Sequence, residues 1–163
     1  MKSFFLFLLL CSTAAFSQDK FVLTPNGFDP VEIPRPDKTN EKLIEAAKNW
    51  NDYYNKQEHD SYDVTENSLR IDAMRDNGFF YRNVGETFSC NIKYSLLVTF
   101  ENNVCRVQFV VKEIYAKKTL LKMTTADMYT PDGTLKEDFG DAKQSLEKTA
   151  NNILKSFSSF ISG

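Results

Sequence analysis

Between Ile92 and Val111 apolar and polar residues alternate on both sides of Asn102-Asn103. Alternation with period 2 marks a half-buried strand, and Asn accepts the positive φ that a two-residue type I′ turn needs at its centre. The stretch predicts a β-hairpin, with strands over Phe88 to Phe100 and Val104 to about Tyr115. The turn fixes the register. It sets Glu101 opposite Val104, Phe100 opposite Cys105, Val98 opposite Val107, Leu96 opposite Phe109 and Tyr94 opposite Val111. The last four pairs are apolar on both strands and share one face. A slip by one residue would set that row against Arg106, Gln108 and Val110, so the pattern and the turn chemistry agree.

The same reading orders the rest of the chain. Phe21 to Thr24 is a short strand candidate ended by Pro25. Residues 26–38 carry Pro30, Pro34 and Pro36 and read as an extended connector, because Pro removes backbone donors and biases its neighbour away from helix. Thr39 or Asn40 caps a helix to about Tyr54, with Leu43, Ala46, Ala47, Trp50 and Tyr54 on its apolar stripe. Asn55 to Asp60 is a polar break. Tyr62 to Thr65 and Leu69 to Ala73 form a second hairpin across Glu66-Asn67-Ser68. Asn77-Gly78 reads as a turn, Phe79-Phe80-Tyr81 as a cover over one edge of the core, and 83–86 as a loop. From Ala116 to Gly140 the pattern loosens. Leu120, Leu121 and Met123 can continue a bent strand, and Thr130-Pro131-Asp132-Gly133 is a turn. Asp141 is placed as the cap of the last helix, paired with Gln144. Its apolar face is Leu146, Ala150, Ile153, Leu154, Phe157 and Ile161.

The first seventeen residues have the layout of an export signal. Lys2 supplies the positive start, Phe4 to Leu10 the apolar run, and Ala15-Phe16-Ser17 the small residues of a cleavage site. Residues 18–38 then hold the first strand and connector, and 39–163 the remainder of one domain. The expected location is periplasmic or secreted, with cleavage after Ser17. No second apolar run is long enough to span a bilayer. Loss of Lys2 moves the formal charge from −2 to −3, which gives no global attraction to nucleic acid or anionic membranes. Cys90 and Cys105 remain. The hairpin register separates them by about ten residues along one strand direction, roughly 30 Å, whereas a disulfide needs Cα atoms within ~7 Å. Both are expected to be unpaired and buried.

The order strand, helix, four strands, helix resembles the bacterial domain of unknown function 4468. The matching features are Ala46-Ala47-Lys48-Asn49-Trp50 in the first helix, Leu69-Arg70-Ile71 in the short hairpin and Tyr94-Ser95-Leu96-Leu97-Val98. The turn entering Cys105-Arg106 and the last amphipathic helix also match. Members of that family often carry Asp-Gly and then aromatic-Arg in the central hairpin. Here the turn is Asn102-Asn103 and Cys105 replaces the aromatic residue. The resemblance implies an α+β, TBP-like fold, β-α-β-β-β-β-α, a curved antiparallel sheet with both helices on one face. It implies no activity and no catalytic residues.

Catalytic motifs are absent from the sequence. His59 is the only histidine, so nucleophile–His pairs and imidazole metal clusters have nowhere else to form. There is no Gly-x-Ser-x-Gly, Walker loop, Gly-x-Gly-x-x-Gly or His-Glu-x-x-His. The acidic residues Asp132, Glu137, Asp138 and Asp141 do not follow calcium-loop spacing. No enzyme activity, cofactor, metal or disulfide is expected. A TBP-like fold does not bring DNA binding with it, and an acidic exported chain is a poor partner for nucleic acid. Binding is the remaining class. With helices on the Tyr94, Leu96, Val98, Val107 and Phe109 face, the other face is left open. It would present Lys93, Ser95, Leu97, Thr99, Arg106, Gln108, Val110 and Lys112, with Arg70 and Asp72 from the neighbouring hairpin. That surface is expected to dock an envelope protein, an acidic peptide or a glycan. The alternative is a small-molecule or lipid carrier, with Phe79, Phe80, Leu120, Leu121 and Met123 lining a cavity between sheet and helices.

Overall fold

The computed structural model describes residues 20–83 and 85–163; the expected export signal over residues 1–17 lies outside them. The strands are β1 (Leu23–Thr24), β2 (Gly27–Phe28), β3 (Val31–Pro34), β4 (His59–Tyr62), β5 (Ser68–Asn83), β6 (Glu86–Phe100), β7 (Val104–Ala116) and β8 (Thr119–Leu120). The helices are α1 (Asn40–Tyr54) and α2 (Gly140–Ser162). One antiparallel sheet runs β3-β7-β6-β5-β4, with β8 folded back on the end of β7. The order β3, α1, β4 to β7, α2 matches the expected α+β arrangement.

The central hairpin has the expected register. Phe100 faces Cys105, Val98 faces Val107, Leu96 faces Phe109 and Tyr94 faces Val111. Tyr94, Leu96, Val98, Cys105, Val107 and Phe109 are all buried. Both helices cover this face. Leu43, Ile44, Ala47 and Trp50 of α1 and Leu146, Ala150, Ile153, Phe157 and Ile161 of α2 are buried against it. The Trp50 and Phe157 rings meet edge to face at 5.2 Å, and the Trp50 indole donates to Ser156 Oγ at 3.1 Å. Each of these spacings puts one side chain per turn on the inner stripe.

Several boundaries differ from the sequence reading, each for a physical reason. The first strand of the sheet is Val31–Pro34, not Phe21 to Thr24. It pairs Val31 with Val107 and Ile33 with Cys105 at the sheet edge, where a Pro needs no ladder donor. Phe21 to Phe28 instead forms a two-strand strap over the core. Asn151 binds the Phe21 backbone twice, accepting from its N–H at 2.8 Å and donating to its C=O at 2.9 Å. Glu147 accepts from the Leu23 N–H at 2.8 Å, and the Tyr129 hydroxyl donates to the Leu23 C=O at 2.7 Å. Phe21, Phe28 and Phe109 pack as one aromatic cluster.

The short hairpin is present, but its first strand is His59–Tyr62, with Tyr62 opposite Arg70. Residues 63–65 belong to the turn, where Asp63 has φ 50°. Asn77-Gly78 is not a turn between strands. It is a bulge inside the single strand β5, where the register passes from Arg75–Ile92 to Phe79–Cys90. Asn77 supplies a φ of 51°, a backbone state that turns and bulges both require. Asp141 does not cap α2. The helix begins one residue earlier, following directly on a 3-10 turn at Glu137–Phe139. Asp141 sits in the first turn, a favourable place for a carboxylate, 3.5 Å from Arg82.

The loosely patterned 116–140 segment is a chain of local devices. Lys117, at φ 56°, turns β7 into β8. Asp127 binds the Thr124 backbone N–H and hydroxyl around a 3-10 turn. Asp132 staples Thr130 and Thr134 around Gly133. These hydrogen bonds hold both carboxyls below the usual range, which gives Asp132, one of the scattered acidic residues, a structural role.

Candidate open-face binding site

The open side of the sheet is built by alternate residues of five strands. One row crosses the sheet as Gln108, Leu97, Arg70 and Tyr62, and the next as Val110, Ser95, Asp72 and Asp60. Toward the Asn102-Asn103 turn lie Glu32, Arg106 and Thr99. At the other end a bulge between Lys93 and Tyr94 adds one residue to β7. The sequence reading put Lys112 beside Lys93 on this face. The extra residue instead sets Glu113 opposite Lys93, while Lys112 is the exposed residue of the bulge.

The charges do not stand free. Arg106 lies 3.0 Å from Glu32 and 3.3 Å from Glu101. Arg70 contacts Asp63 at 2.6 Å and Asp72 at 3.2 Å, the second as an ion pair in which Nε makes no hydrogen bond. Its guanidinium also sits over the Tyr62 ring at 5.1 Å. Lys93 lies 3.7 Å from Glu58. Ser95 is buried, and its hydroxyl donates to Asp72 at 2.6 Å. Asp60 beside the Tyr62 hydroxyl pushes that phenol above its ordinary value. Carboxylates outnumber cations across the face, so its basic residues give it no positive field. What the ion pairs frame is apolar: Leu97 is 38% exposed and Tyr62 42% exposed, with Val110 half-buried beside them.

Sequence reasoning missed Glu32, Glu58, Glu101 and Glu113. Glu32 lay inside the presumed connector, although Val31-Glu32-Ile33 already shows strand alternation between its prolines. Glu113 was hidden by the bulge, which leaves no residue signature of its own in β7.

The other sequence candidates do not converge. His59 is partly exposed, 3.3 Å from Asp52 and 2.6 Å from the Gln57 carbonyl, and no group of three or more metal-ligating side chains occurs among the described residues. Cys90 and Cys105 are free and buried. Phe79 is in the core at 1% exposure, Leu121 and Met123 pack against it, and Phe80 and Leu120 are exposed. Two open grooves lie elsewhere. One, of about 530 Å³, runs between α1 and Thr65-Glu66. The other, of about 410 Å³, lies between Tyr81, Phe88 and Lys117. None of the five carrier residues lines either one.

No helix among the described residues is long and apolar enough to cross a membrane. No family model matches the sequence, and no curated protein does. Among solved structures, the crystal structure of a DUF4468 family protein from Bacteroides ovatus ATCC 8483 is similar, with a TM-score of 0.60 and 14% identity. The likeness covers 83% of this chain and 85% of that one. Two helices on one side of an antiparallel sheet, over most of both lengths, identify this chain as having the DUF4468-like fold.

Proposed function

We propose that the protein is a non-enzymatic binding module of the cell envelope that engages another envelope component through the open face of its sheet. The observation that carries this reading is the contrast between the two sides of β6. Tyr94, Leu96 and Val98 are fully covered by the helices, whereas Leu97, between them, is left 38% exposed at the centre of an ordered surface. Ion pairs at 2.6 to 3.7 Å hold the surrounding long side chains in place, which lowers the ordering cost of docking. Because these cations are already paired, the face suits a protein or peptide surface of mixed charge better than a polyanion.

The test is crosslinking with mass spectrometry in the native envelope, comparing the wild-type chain with Leu97→Asp and with Arg70→Glu. A charge at Leu97 should remove the crosslinks of the open face without altering the melting temperature, because the side chain supports no core contact. If every crosslinked partner survives both substitutions, the reading is wrong.

A further inference from the structure

The turn joining β7 to β8 carries Lys117 and Lys118, and Lys122 follows β8. Lys112 stands further back on β7. All four are exposed, and none makes an ion pair with any described residue. That distinguishes them from Lys93, Arg70 and Arg106. Leu120, between Lys118 and Lys122, is 54% exposed. The β5–β6 hairpin lies alongside. Cys90 pairs with Ala116, and Asn91 donates to the Lys117 carbonyl at 3.3 Å. Phe88, 40% exposed, stacks on Tyr81 at 5.3 Å. Phe88 and Lys117 line the same groove of about 410 Å³. The carboxylates close in sequence are Asp76, Glu86 at the hairpin end, Glu113 and Asp127, and none of them forms an ion pair with these four lysines.

Exposed aliphatic and aromatic side chains set among unpaired lysines are the composition of an interfacial membrane contact. The lysines meet headgroup phosphates while the apolar groups enter the headgroup–acyl boundary. A soluble polyanion would use the lysines and leave Leu120 and Phe88 without a role. We propose that this end of the sheet, formed by the β7–β8 turn and the β5–β6 hairpin, docks peripherally on an anionic phospholipid surface. The open face, whose charges are internally paired, stays free for a protein partner. The net charge of −2 describes the whole chain and conceals a local group of unpaired lysines.

The test is co-sedimentation of the mature protein with vesicles of phosphatidylglycerol and phosphatidylethanolamine, against vesicles of phosphatidylcholine, at low and high salt. Binding is expected only to the anionic vesicles and should fall as salt rises. Reversing Lys117, Lys118 and Lys122 to Glu should weaken it by at least about a hundredfold, the loss expected from removing three lysine charges near an anionic surface before any repulsion from the new carboxylates. Leu120→Ser should weaken it about tenfold by removing an inserted side chain. The equal charge change Lys48→Glu, Lys148→Glu, Lys155→Glu, on exposed helix positions, should leave binding intact. All variants must keep the wild-type melting temperature. The proposal is overturned by absence of binding to anionic vesicles, by equal binding to phosphatidylcholine, or by equal losses in both triple variants. It is also overturned if poly-glutamate displaces the protein from vesicles and Leu120→Ser has no effect, which would mark an acidic macromolecule as the ligand.

Discussion

Tyr94 shows what a single inward position does. Its ring stacks on Phe109 at 5.0 Å, and its hydroxyl donates to Asn55 Oδ1 at 2.9 Å. Asn55 passes the contact on to Asn51 Oδ1 at 2.7 Å, and Asn51 donates to the Asp60 carbonyl at 3.2 Å. One buried chain of amides thus ties β6, the end of α1 and β4 together. The inner placement of Tyr94 was legible from alternation. The partner of its hydroxyl was not, because Asn55 reads as part of a polar break and nothing local marks it as buried. Burial pushes the Tyr94 phenol well above its ordinary value. A raised folded value means the fold favours the neutral hydroxyl. Its contribution is therefore complete below about pH 10, where unfolded tyrosine begins to ionise, and is lost as pH rises toward the folded value. Cys105, pushed up to about 11 by burial, acts in the same direction from about pH 9. Tyr94→Phe should cost ~1–3 kcal/mol at neutral pH by leaving Asn55 Oδ1 unpaired. Its alkaline stability loss should be shallower than that of wild type above pH 10. Urea titrations from pH 7 to 11 read both, and parallel curves for the two proteins would rule the account out.

At the scale of elements, strands and helices were legible wherever one residue pattern persists, and illegible where a local conformation serves two purposes. Asn77-Gly78 carries the same signal for a turn or a bulge, since both need a residue tolerant of positive φ. The structure resolves the choice through packing. A Cβ built on Gly78 would lie 2.6 Å from Ile92 Cγ1 and 3.0 Å from its Cγ2 and Cδ1, and Ile92 on β6 is fully buried. Asn77 is fixed from its partner strand, its N–H donating to Asn91 at 3.0 Å and its Oδ1 accepting from Ser89 at 2.6 Å. Gly78→Ala should therefore lower stability by ~1–3 kcal/mol through overpacking. Gly140→Ala, where nothing lies within 4 Å and the backbone is right-handed helical, should be neutral or slightly stabilising. Equal effects of the two substitutions on the urea midpoint would refute the bulge argument. The candidate open face was legible to the same extent. The alternation gave Leu97, Thr99, Arg106 and Gln108 their side of the sheet, while the bulge at Lys112 and the carboxylates from β3 and the loops were set by register and three-dimensional proximity.

For the whole molecule, the core is continuous. The strap residues Phe21, Leu23 and Phe28, the helix residues Trp50 and Phe157, and the sheet residues Tyr94, Cys105 and Phe109 belong to one buried cluster. The strap is joined to α2 by backbone bonds from Asn151 and Glu147, so it is part of that cluster and not a loose tail. A sequence reading that treats residues 21–38 as one strand and a connector gives no reason for this, because the bonds that hold the strap come from side chains more than a hundred residues away. Continuity predicts one cooperative transition. Three probes sit in different layers: Trp50 at the helix contact, Cys105 on β7 near the sheet edge, and the backbone circular dichroism of all elements. In increasing urea, Trp50 fluorescence, far-ultraviolet dichroism and the reaction of Cys105 with a thiol reagent, followed in a Cys90→Ala chain, should share one midpoint. Thiol reaction should be negligible before it, since the buried neutral thiol is a poor nucleophile. Asn151→Ala should move all three midpoints together by ~1–3 kcal/mol, the cost of leaving the Phe21 N–H and C=O unpaired. If the thiol becomes reactive while Trp50 fluorescence stays native, the sheet edge under the strap opens as a separate unit and the single-core account fails.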